Sequence, residues 1–338
     1  MREGRPTGWQ TGRMRWTIDV LGEDWFAASI PLTRDLPSEP LPVATLVRYG
    51  DPRPEQPAIL YLHGFVDYFF QTHVARAWAA RGYAFYALDL RRHGRSLQAD
   101  ETPNYVTDLS VYREELDLAA AYLRDEVGHP SLTVVGHSTG GLIASLWANH
   151  RSAPGRDHAV DAVVLNSPWL DLAGPWFDRV VSTRAVEVAG RLVPRLVVGR
   201  LGVHYGPALH RSTGGEWSYD LRLKPNTGFP VRAGWLRAVR RGHAAVARGL
   251  DIACPVLVMA STRSGDRKHW HPALVSSDSV LDVSQIVRRA PLLGPDVTTE
   301  QIEGGGHDLA LSPEPARAEY LEGVTAWLSS HLPQRPAA

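Results

Sequence analysis

The feature that most constrains the fold is an abrupt passage from an apolar run, residues 132–135, into the helix-like segment Thr139–His150. Only a glycine, a histidine, a serine, a threonine and a glycine make the connection. A serine at the apex of such a strand-to-helix turn takes a strained backbone conformation that lifts its oxygen above the sheet, and its near neighbours must be small. Gly136 and Gly140 meet this condition. We therefore predict that Ser138 is a nucleophile.

Strand-like and helix-like segments alternate on both sides of this turn. Continuous apolar runs, typical of strands buried on both faces, lie at residues 58–64, 84–90, 159–168 and 255–261. Segments with helical periodicity fill the early intervals, and the connections are short. This alternation favours an α/β fold with a mostly parallel sheet covered by helices on both faces. Proline-broken β-type runs within residues 25–49 indicate antiparallel strands at one edge.

The alternation stops after Pro168. About 85 residues separate it from the next clear strand-like run, whereas a parallel crossover needs roughly 30. No Ser/Gly-rich linker flanks the surplus, so we predict a cap inserted over the C-terminal edge of the sheet; a second independent domain is the alternative. The predicted division is a core of residues 1–168 and 252–338, with residues 1–14 flexible, and an insertion of residues 169–251.

Composition narrows the classes of partner. The 36 basic residues balance the 36 acidic ones and the isoelectric point is about 7.3, so no overall field attracts nucleic acid or an anionic membrane. Cys254 is the only cysteine, which excludes an internal disulfide. The N terminus has no apolar signal-like core, and no run approaches the roughly 18 apolar residues of a membrane span. We expect a cytoplasmic protein that neither binds nucleic acid nor inserts stably into a membrane.

A serine hydroxyl needs an adjacent base before it can attack at neutral pH. In α/β folds with such a turn, the acid and the base follow the serine, each after a later strand. His307 follows three glycines that free its loop to reach the serine, and it is our predicted base. Asp266, Asp278 and Asp282 are candidate acids; we select Asp278, which would fix the tautomer of the histidine. Asp282 stays open because it can instead cap a helix.

The oxyanion formed by attack on a carbonyl needs N–H donors. Thr139 is the first residue of the helix after the turn, and its N–H lies at the positive end of that helix. We expect the second donor in the loop after residues 58–64, namely the N–H of Phe65, with Gly64 permitting the turn. The side chain of His63 is expected to bond to backbone within that loop.

Together these motifs resemble those of α/β-hydrolases. The His-Gly-Phe sequence at residues 63–65, the segment 89–96 and the pentapeptide at 136–140 are similar to those of serine hydrolases grouped with monoacylglycerol lipases, lysophospholipases and serine aminopeptidases. The Gly-Gly-Gly-His-Asp sequence near the C terminus completes the resemblance, which covers roughly residues 55–168 and 252–330.

The resemblance implies an eight-stranded sheet, a triad of Ser138, Asp278 and His307, and oxyanion donors at Phe65 and Thr139. Related sequences carry a glycine where this chain has Arg92, so a different backbone is expected in that loop.

The predicted activity is hydrolysis of carboxylic esters through an acyl-enzyme, with a small acyl ester of monoacylglycerol or lysophospholipid type as substrate and without cofactor or metal. The insertion is expected to shape the pocket with four aromatic side chains: Trp169, Trp176, Phe177 and Trp235. Two other functions stay open. An aminopeptidase or amidase would need an acid in the insertion to hold an ammonium group, with Glu187, Glu216 or Asp220 as candidates. A non-catalytic hydrolase-fold binding protein is the third.

Overall fold

The computed structural model describes residues 14–155, 159–173, 176–200 and 204–332, except the side chains of 176–183. The expected flexibility of residues 1–14 therefore concerns a segment that, apart from Met14, lies outside the described residues. Eleven strands lie within the described ranges: β1 Thr17–Asp19, β2 Gly22–Pro31, β3 Val43–Tyr49, β4 Ala58–Leu62, β5 Ala84–Asp89, β6 Leu132–His137, β7 Ala162–Asn166, β8 Val197–Gly199, β9 Val231–Arg232, β10 Val256–Ser261 and β11 Val297–Ile302.

Nine of these strands form the central sheet in the order β1-β2-β3-β5-β4-β6-β7-β10-β11. Strands β1, β2 and β3 pair antiparallel at one edge, and β3 is also antiparallel to β5. From β5 to β11 every neighbouring pair is parallel. This arrangement confirms the predicted fold class. The ninth strand is β1, whose three residues are too few to show a period in the sequence.

Eight α-helices accompany the strands within the described residues: α1 Thr72–Ala79, α2 Arg113–Ala121, α3 Thr139–Arg151, α4 Trp176–Leu192, α5 Tyr205–Leu209, α6 Ala233–Arg248, α7 Val283–Arg289 and α8 Ala316–His331. Alternate residues of the central strands point to opposite faces of the sheet, and both faces are apolar. One face packs on α1 and α8, with Tyr61 and Val135 in its core. The other packs on α2, α3, α6 and α7, with Leu60 and Val134. None of the helices in the described ranges is long and apolar enough to cross a bilayer.

The stretch between β7 and β10 holds α4, α5, α6 and the small antiparallel pair of β8 and β9. Helix α6 packs closely on α3: a Cβ added to Gly242 would lie 3.1 Å from Leu146 and 3.2 Å from Leu142. Trp235 and Val239 of α6 belong to the same apolar cluster as the sheet. The assignment of residues 169–251 as a cap stays a prediction, but its last helix shares the main core.

The loop after β5 accommodates Arg92 in a left-handed conformation, with φ of 62°. Glycine enters this region without cost, whereas other residues need compensation. The Arg92 side chain is fully buried, and its nitrogens lie 2.8 Å from both oxygens of Asp35 and 2.7 Å from Glu39. Although this chain has arginine at position 92 where related sequences have glycine, the backbone there keeps the positive φ that glycine favours. The expected change of backbone in this loop is therefore not observed.

Candidate active site

The turn between β6 and α3 carries Ser138 with φ of 54° and ψ of −118°, a conformation that side-chain-bearing residues rarely adopt. The flanking glycines are needed because backbone approaches them closely. A Cβ on Gly136 would lie 2.7 Å from the Gly140 carbonyl oxygen, and one on Gly140 would lie 2.3 Å from that of His63. The turn thus presents the Ser138 hydroxyl at the C-terminal edge of the parallel strands, next to the loop that follows β4.

Two hydrogen bonds connect Ser138, His307 and Asp278, which come from three separate loops. The Oγ of Ser138 lies 3.0 Å from Nε2 of His307, and Nδ1 of that ring lies 3.1 Å from Oδ2 of Asp278. All three side chains are buried. In this arrangement the imidazole can accept the serine proton at Nε2 while Nδ1–H donates to the carboxylate. The structure therefore brings together the three residues that the sequence predicted.

Asp278 is held as an anion. Burial alone would raise the pKa of its carboxyl, but the charge and hydrogen bond of His307 and the N–H groups of Val280 and Leu281 outweigh it, so the pKa lies below its ordinary value. These two N–H groups lie 3.0 and 2.8 Å from Oδ1. Asp282 instead caps α7, accepting the Ser284 N–H at 3.1 Å. The geometry supports Asp278 as the partner of the histidine.

The predicted oxyanion donors flank the serine. Neither the Phe65 nor the Thr139 amide donates a hydrogen bond within the described part of the chain. A Cβ added to Gly64 would lie 3.1 Å from the Cβ of Ser138, so the loop after β4 passes directly beside this serine. His63 bonds to backbone in two loops: Nδ1 lies 2.8 Å from the Gly64 oxygen after β4, and Nε2 accepts the Leu90 N–H after β5 at 3.0 Å.

A cavity of about 220 Å³ lies over Ser138, between the sheet edge and the insertion. Trp169 lines it, together with Phe65 and Leu172. Trp235 is not among its lining residues: it lies behind the wall, with its ring 4.1 Å from that of Phe65 and 5.9 Å from that of Trp169. The side chains of the other two predicted aromatics, Trp176 and Phe177, lie outside the described residues.

The sequence did not predict a buried charged group in the cavity wall. Lys224 Nζ lies 2.6 Å from Asp67 Oδ1, and His137 Nδ1 lies 3.6 Å from Asp67 Oδ2. Burial opposes ionisation of Asp67, yet the Lys224 ammonium holds the pKa of that carboxyl well below its ordinary range. Burial lowers the pKa of His137, but the carboxylates of Asp308 and Asp67 outweigh it and the pKa is raised. One signal was available: Lys224 is one of only two lysines in the chain.

One group of side chains has the composition of a metal site. Ligand atoms of Asp67, His137 and Asp308 lie within 4.8 Å of one another, and all three residues are buried. However, the Lys224 ammonium already neutralises Asp67, and both oxygens of Asp308 accept hydrogen bonds from side-chain amides. One oxygen of Asp67 and both oxygens of Asp308 are therefore already engaged by other side chains.

Comparisons with known proteins agree with this architecture. A monoacylglycerol lipase from Mycolicibacterium smegmatis is 28% identical over 281 residues, covering 81% of this chain and 88% of the relative. The crystal structure of the Paleococcus ferrophilus monoacylglycerol lipase matches with a TM-score of 0.60 at 20% identity, covering 82% of this chain and 96% of that one. A soluble variant of the Saccharomyces cerevisiae monoglyceride lipase, in complex with a substrate analogue, matches with a TM-score of 0.62 at 14% identity, covering 86% and 93%.

The family model described as serine aminopeptidase, S33, matches residues 53–312. This range begins before β4, ends beyond His307 and includes every candidate catalytic residue. Because the match covers well over half of the chain, the protein belongs to this family of α/β-hydrolases.

Proposed function

We propose that this protein hydrolyses carboxylic esters of the monoacylglycerol type through an acyl-enzyme intermediate on Ser138. The observation that supports the proposal most is the continuous hydrogen-bonded path from Asp278 through His307 to Ser138 at the base of the cavity. A buried serine bonded to a histidine that is itself oriented by a carboxylate is the arrangement that activates a hydroxyl for acyl transfer.

The proposed reaction follows from these positions. Nε2 of His307 takes the hydroxyl proton as Oγ of Ser138 bonds to the ester carbonyl carbon. The resulting oxyanion accepts hydrogen bonds from the N–H groups of Phe65 and Thr139, and the carboxylate of Asp278 stabilises the imidazolium. His307 then returns the proton to the departing alcohol oxygen. Water activated by the same nitrogen attacks the acyl-enzyme, and the acid leaves with regeneration of the serine.

The walls of the cavity support an ester with an apolar acyl chain and a polar alcohol. Trp169, Leu172 and Val280 form an apolar side, while Tyr205 and Asn226 bring polar groups. An apolar lining with a few polar groups is typical of sites that orient such amphipathic ligands. The similarity to the Mycolicibacterium smegmatis monoacylglycerol lipase supports the same substrate class. We retain the cytoplasm as the expected location on the basis of the sequence alone.

The family name makes aminopeptidase activity the second candidate. It needs an unpaired carboxylate in the pocket to hold the substrate ammonium. The three acids considered from the sequence each pair with an arginine: Glu187 with Arg237, Glu216 with Arg317 and Asp220 with Arg222. None of these acids lines the described cavity, whose one acidic residue, Asp67, is paired with Lys224. These contacts favour esters over aminoacyl substrates.

A substrate panel and a covalent probe test the proposal. We expect a fluorophosphonate to label the unsubstituted protein and Ser329→Ala, which loses an exposed helix hydroxyl, but not Ser138→Ala. On monoacylglycerols and p-nitrophenyl esters of increasing chain length, Ser138→Ala is expected to lose at least about 10⁴-fold in kcat. Aminoacyl anilides serve as the comparison. Faster cleavage of anilides than of esters, or labelling that survives Ser138→Ala, would contradict the proposal.

A further inference from the structure

The loop that carries the Phe65 amide has a strained residue directly after it. Val66 has a positive φ of 53°, a region that is least favourable for β-branched side chains such as valine. Conformations of this kind persist only where the surroundings hold them, and they cluster at functional sites. A contact from outside the loop must therefore hold Val66 in this conformation.

One buried side chain supplies that contact. The Val66 N–H donates to Oδ1 of Asn104 over 3.1 Å, although the two residues are 38 positions apart. Asn104 is 2% exposed and has a positive φ of 55°, which asparagine tolerates better than most residues. Its side-chain amide is thus aimed at the strained residue from outside the loop.

Asn104 is in turn fixed to the loop after β5. Its side-chain Nδ2 and its backbone N–H both donate to the Arg92 carbonyl oxygen, at 3.0 and 2.9 Å. Arg92 has a positive φ of 62° and is anchored by its ion pairs to Asp35 and Glu39. Three of the non-glycine residues with positive φ therefore form one hydrogen-bonded path that ends beside the nucleophile.

The path ends at Val66, next to the residue whose N–H is the expected oxyanion donor. The Val66 N–H belongs to the peptide group that follows Phe65, so the bond to Asn104 sets the orientation of the residue whose own N–H is the expected oxyanion donor. The loop has little freedom on its other side, where Gly64 lies against Ser138. A preorganised donor is effective only if its geometry is held before the charge develops.

We propose that Asn104 is a positioning residue for ester hydrolysis, holding Val66, and through it the Phe65 amide, in the orientation that receives the oxyanion. The inference rests on the proposed function, because it assigns a role in the step at which the oxyanion forms. Asn104 does not line the cavity, so its effect on substrate passes through the loop.

The first test is Asn104→Gly, which removes the side-chain acceptor while glycine still accepts the positive φ. We expect kcat on a p-nitrophenyl ester to fall about 10- to 100-fold, because the donor is misplaced rather than deleted, with KM unchanged within about threefold. The matched control is Asn149→Ala, which also removes an asparagine oxygen bonded to a backbone N–H, that of Asp251 at 2.7 Å, on helix α3. It is expected to keep the kcat of the unsubstituted protein.

Inhibitor affinity separates positioning from a merely structural role. A trifluoromethyl ketone forms a tetrahedral oxyanion on the serine, whereas the matching methyl ketone reports mainly ground-state binding. In Asn104→Gly we expect affinity for the trifluoromethyl ketone to fall by about the same factor as kcat/KM, with affinity for the methyl ketone unchanged. A lower Tm with both affinities unchanged would contradict the proposal.

A second-site substitution keeps the test valid even if Asn104→Gly does not fold. Glycine adopts the positive φ of residue 66 without strain, so a Val66→Gly variant no longer needs Asn104 to hold that conformation. Adding Asn104→Gly to Val66→Gly should therefore change kcat by less than about threefold relative to Val66→Gly alone. A further loss of about 10-fold or more relative to Val66→Gly would overturn the proposal. If the unsubstituted protein hydrolyses esters and Asn104→Gly does so equally well, only this inference fails; if the unsubstituted protein is inactive, the proposed function and this inference fail together.

Discussion

Asp278 and Asp282 stand four positions apart, and their surroundings give them different roles. Backbone bonds fix the segment of Asp278 beside the chain that leaves β10: its N–H donates to the Arg263 oxygen at 3.0 Å, and its carbonyl accepts the Gly265 N–H at 2.8 Å. This pairing directs its carboxylate inward. The order of serine, acid and histidine along the chain could be predicted from the sequence. Which of the two aspartates is the acid could not be settled there, because the deciding contacts are with residues more than ten positions away in the chain.

Replacing each aspartate by asparagine distinguishes the two roles. We expect Asp278→Asn to lower kcat about 10⁴-fold, because the neutral amide no longer fixes the productive tautomer or stabilises the imidazolium. Asp282→Asn should leave kcat unchanged, since asparagine also caps helices well. Steady-state kinetics on one ester, with Tm as a check on folding, measures both. A larger loss in Asp282→Asn than in Asp278→Asn would show that the acid is wrongly assigned.

At the scale of elements, the close packing of α3 on β4 sets the position of the serine. Gly140 of α3 lies against the end of β4, where an added Cβ would lie 2.3 Å from the His63 oxygen and 2.6 Å from the Leu62 oxygen. Both atoms are backbone, so neither can move aside cheaply.

We expect Gly140→Ala to destabilise the protein by about 3 kcal/mol, the upper range for overpacking, and to lower activity because the turn must shift. Gly199→Ala is the matched control, because its Cβ would meet nothing within 4 Å. Denaturant unfolding of both variants checks the prediction. Equal stability of Gly140→Ala and Gly199→Ala would mean that the space between α3 and β4 admits a methyl group.

A buried ion-pair group connects the start of the insertion to two helices. Asp171 lies 3.0 Å from Arg240 of α6 and 2.7 Å from Arg289 of α7. Burial opposes ionisation, but the hydrogen bonds of Arg289 and Arg240 outweigh it and lower the pKa of Asp171 from 3.8 to about 2. A shift of this size corresponds to about 2 kcal/mol of stability at neutral pH.

We therefore expect Asp171→Asn to lose about 2 kcal/mol of unfolding free energy at pH 7. Because the folded-state pKa is depressed, this contribution is complete above the unfolded value near 4 and disappears as the pH falls through about 2. The gap between variant and parent in urea unfolding should narrow over that interval. Asp220→Asn, which breaks an exposed pair with Arg222, should have no measurable effect at either pH. A gap for Asp171→Asn that is independent of pH would contradict the assignment.

The elements themselves differ in how well the sequence predicts them. The runs that became β4, β5, β6, β7 and β10 are continuous, apolar and buried on both faces, so they could be identified without a structure. Strand β1 has three residues, only one of them buried, and leaves no such signal. Short elements depend on partners distant in sequence, and for the same reason the contact that holds Val66 was not foreseen.

At the scale of the whole molecule, Lys224 connects the stretch between β7 and β10 to the loop after β4, which carries Asp67. Its side chain is 12% exposed and that of Asp67 2%, so their ion pair, at 2.6 Å, lies almost out of water. The ring centroids of Phe70 and Tyr219 lie 5.2 and 5.5 Å from the ammonium. Tyr68, next to Asp67, accepts the Asp220 N–H at 2.8 Å, a second link between the same two segments.

Removing only Lys224 and replacing both Lys224 and Asp67 should have different effects on stability. We expect Lys224→Met to destabilise the protein by about 3 to 5 kcal/mol, because it leaves the Asp67 carboxylate buried without its counter-charge. Replacing both residues, as Asp67→Asn with Lys224→Met, removes the stranded charge and should recover most of that loss, since an uncharged pair of similar volume can substitute for a buried ion pair. Denaturant midpoints of the parent, Lys224→Met and the double variant measure this coupling. Losses that do not recover in the double variant would show that Lys224 acts by packing between insertion and core, and that its charge is incidental.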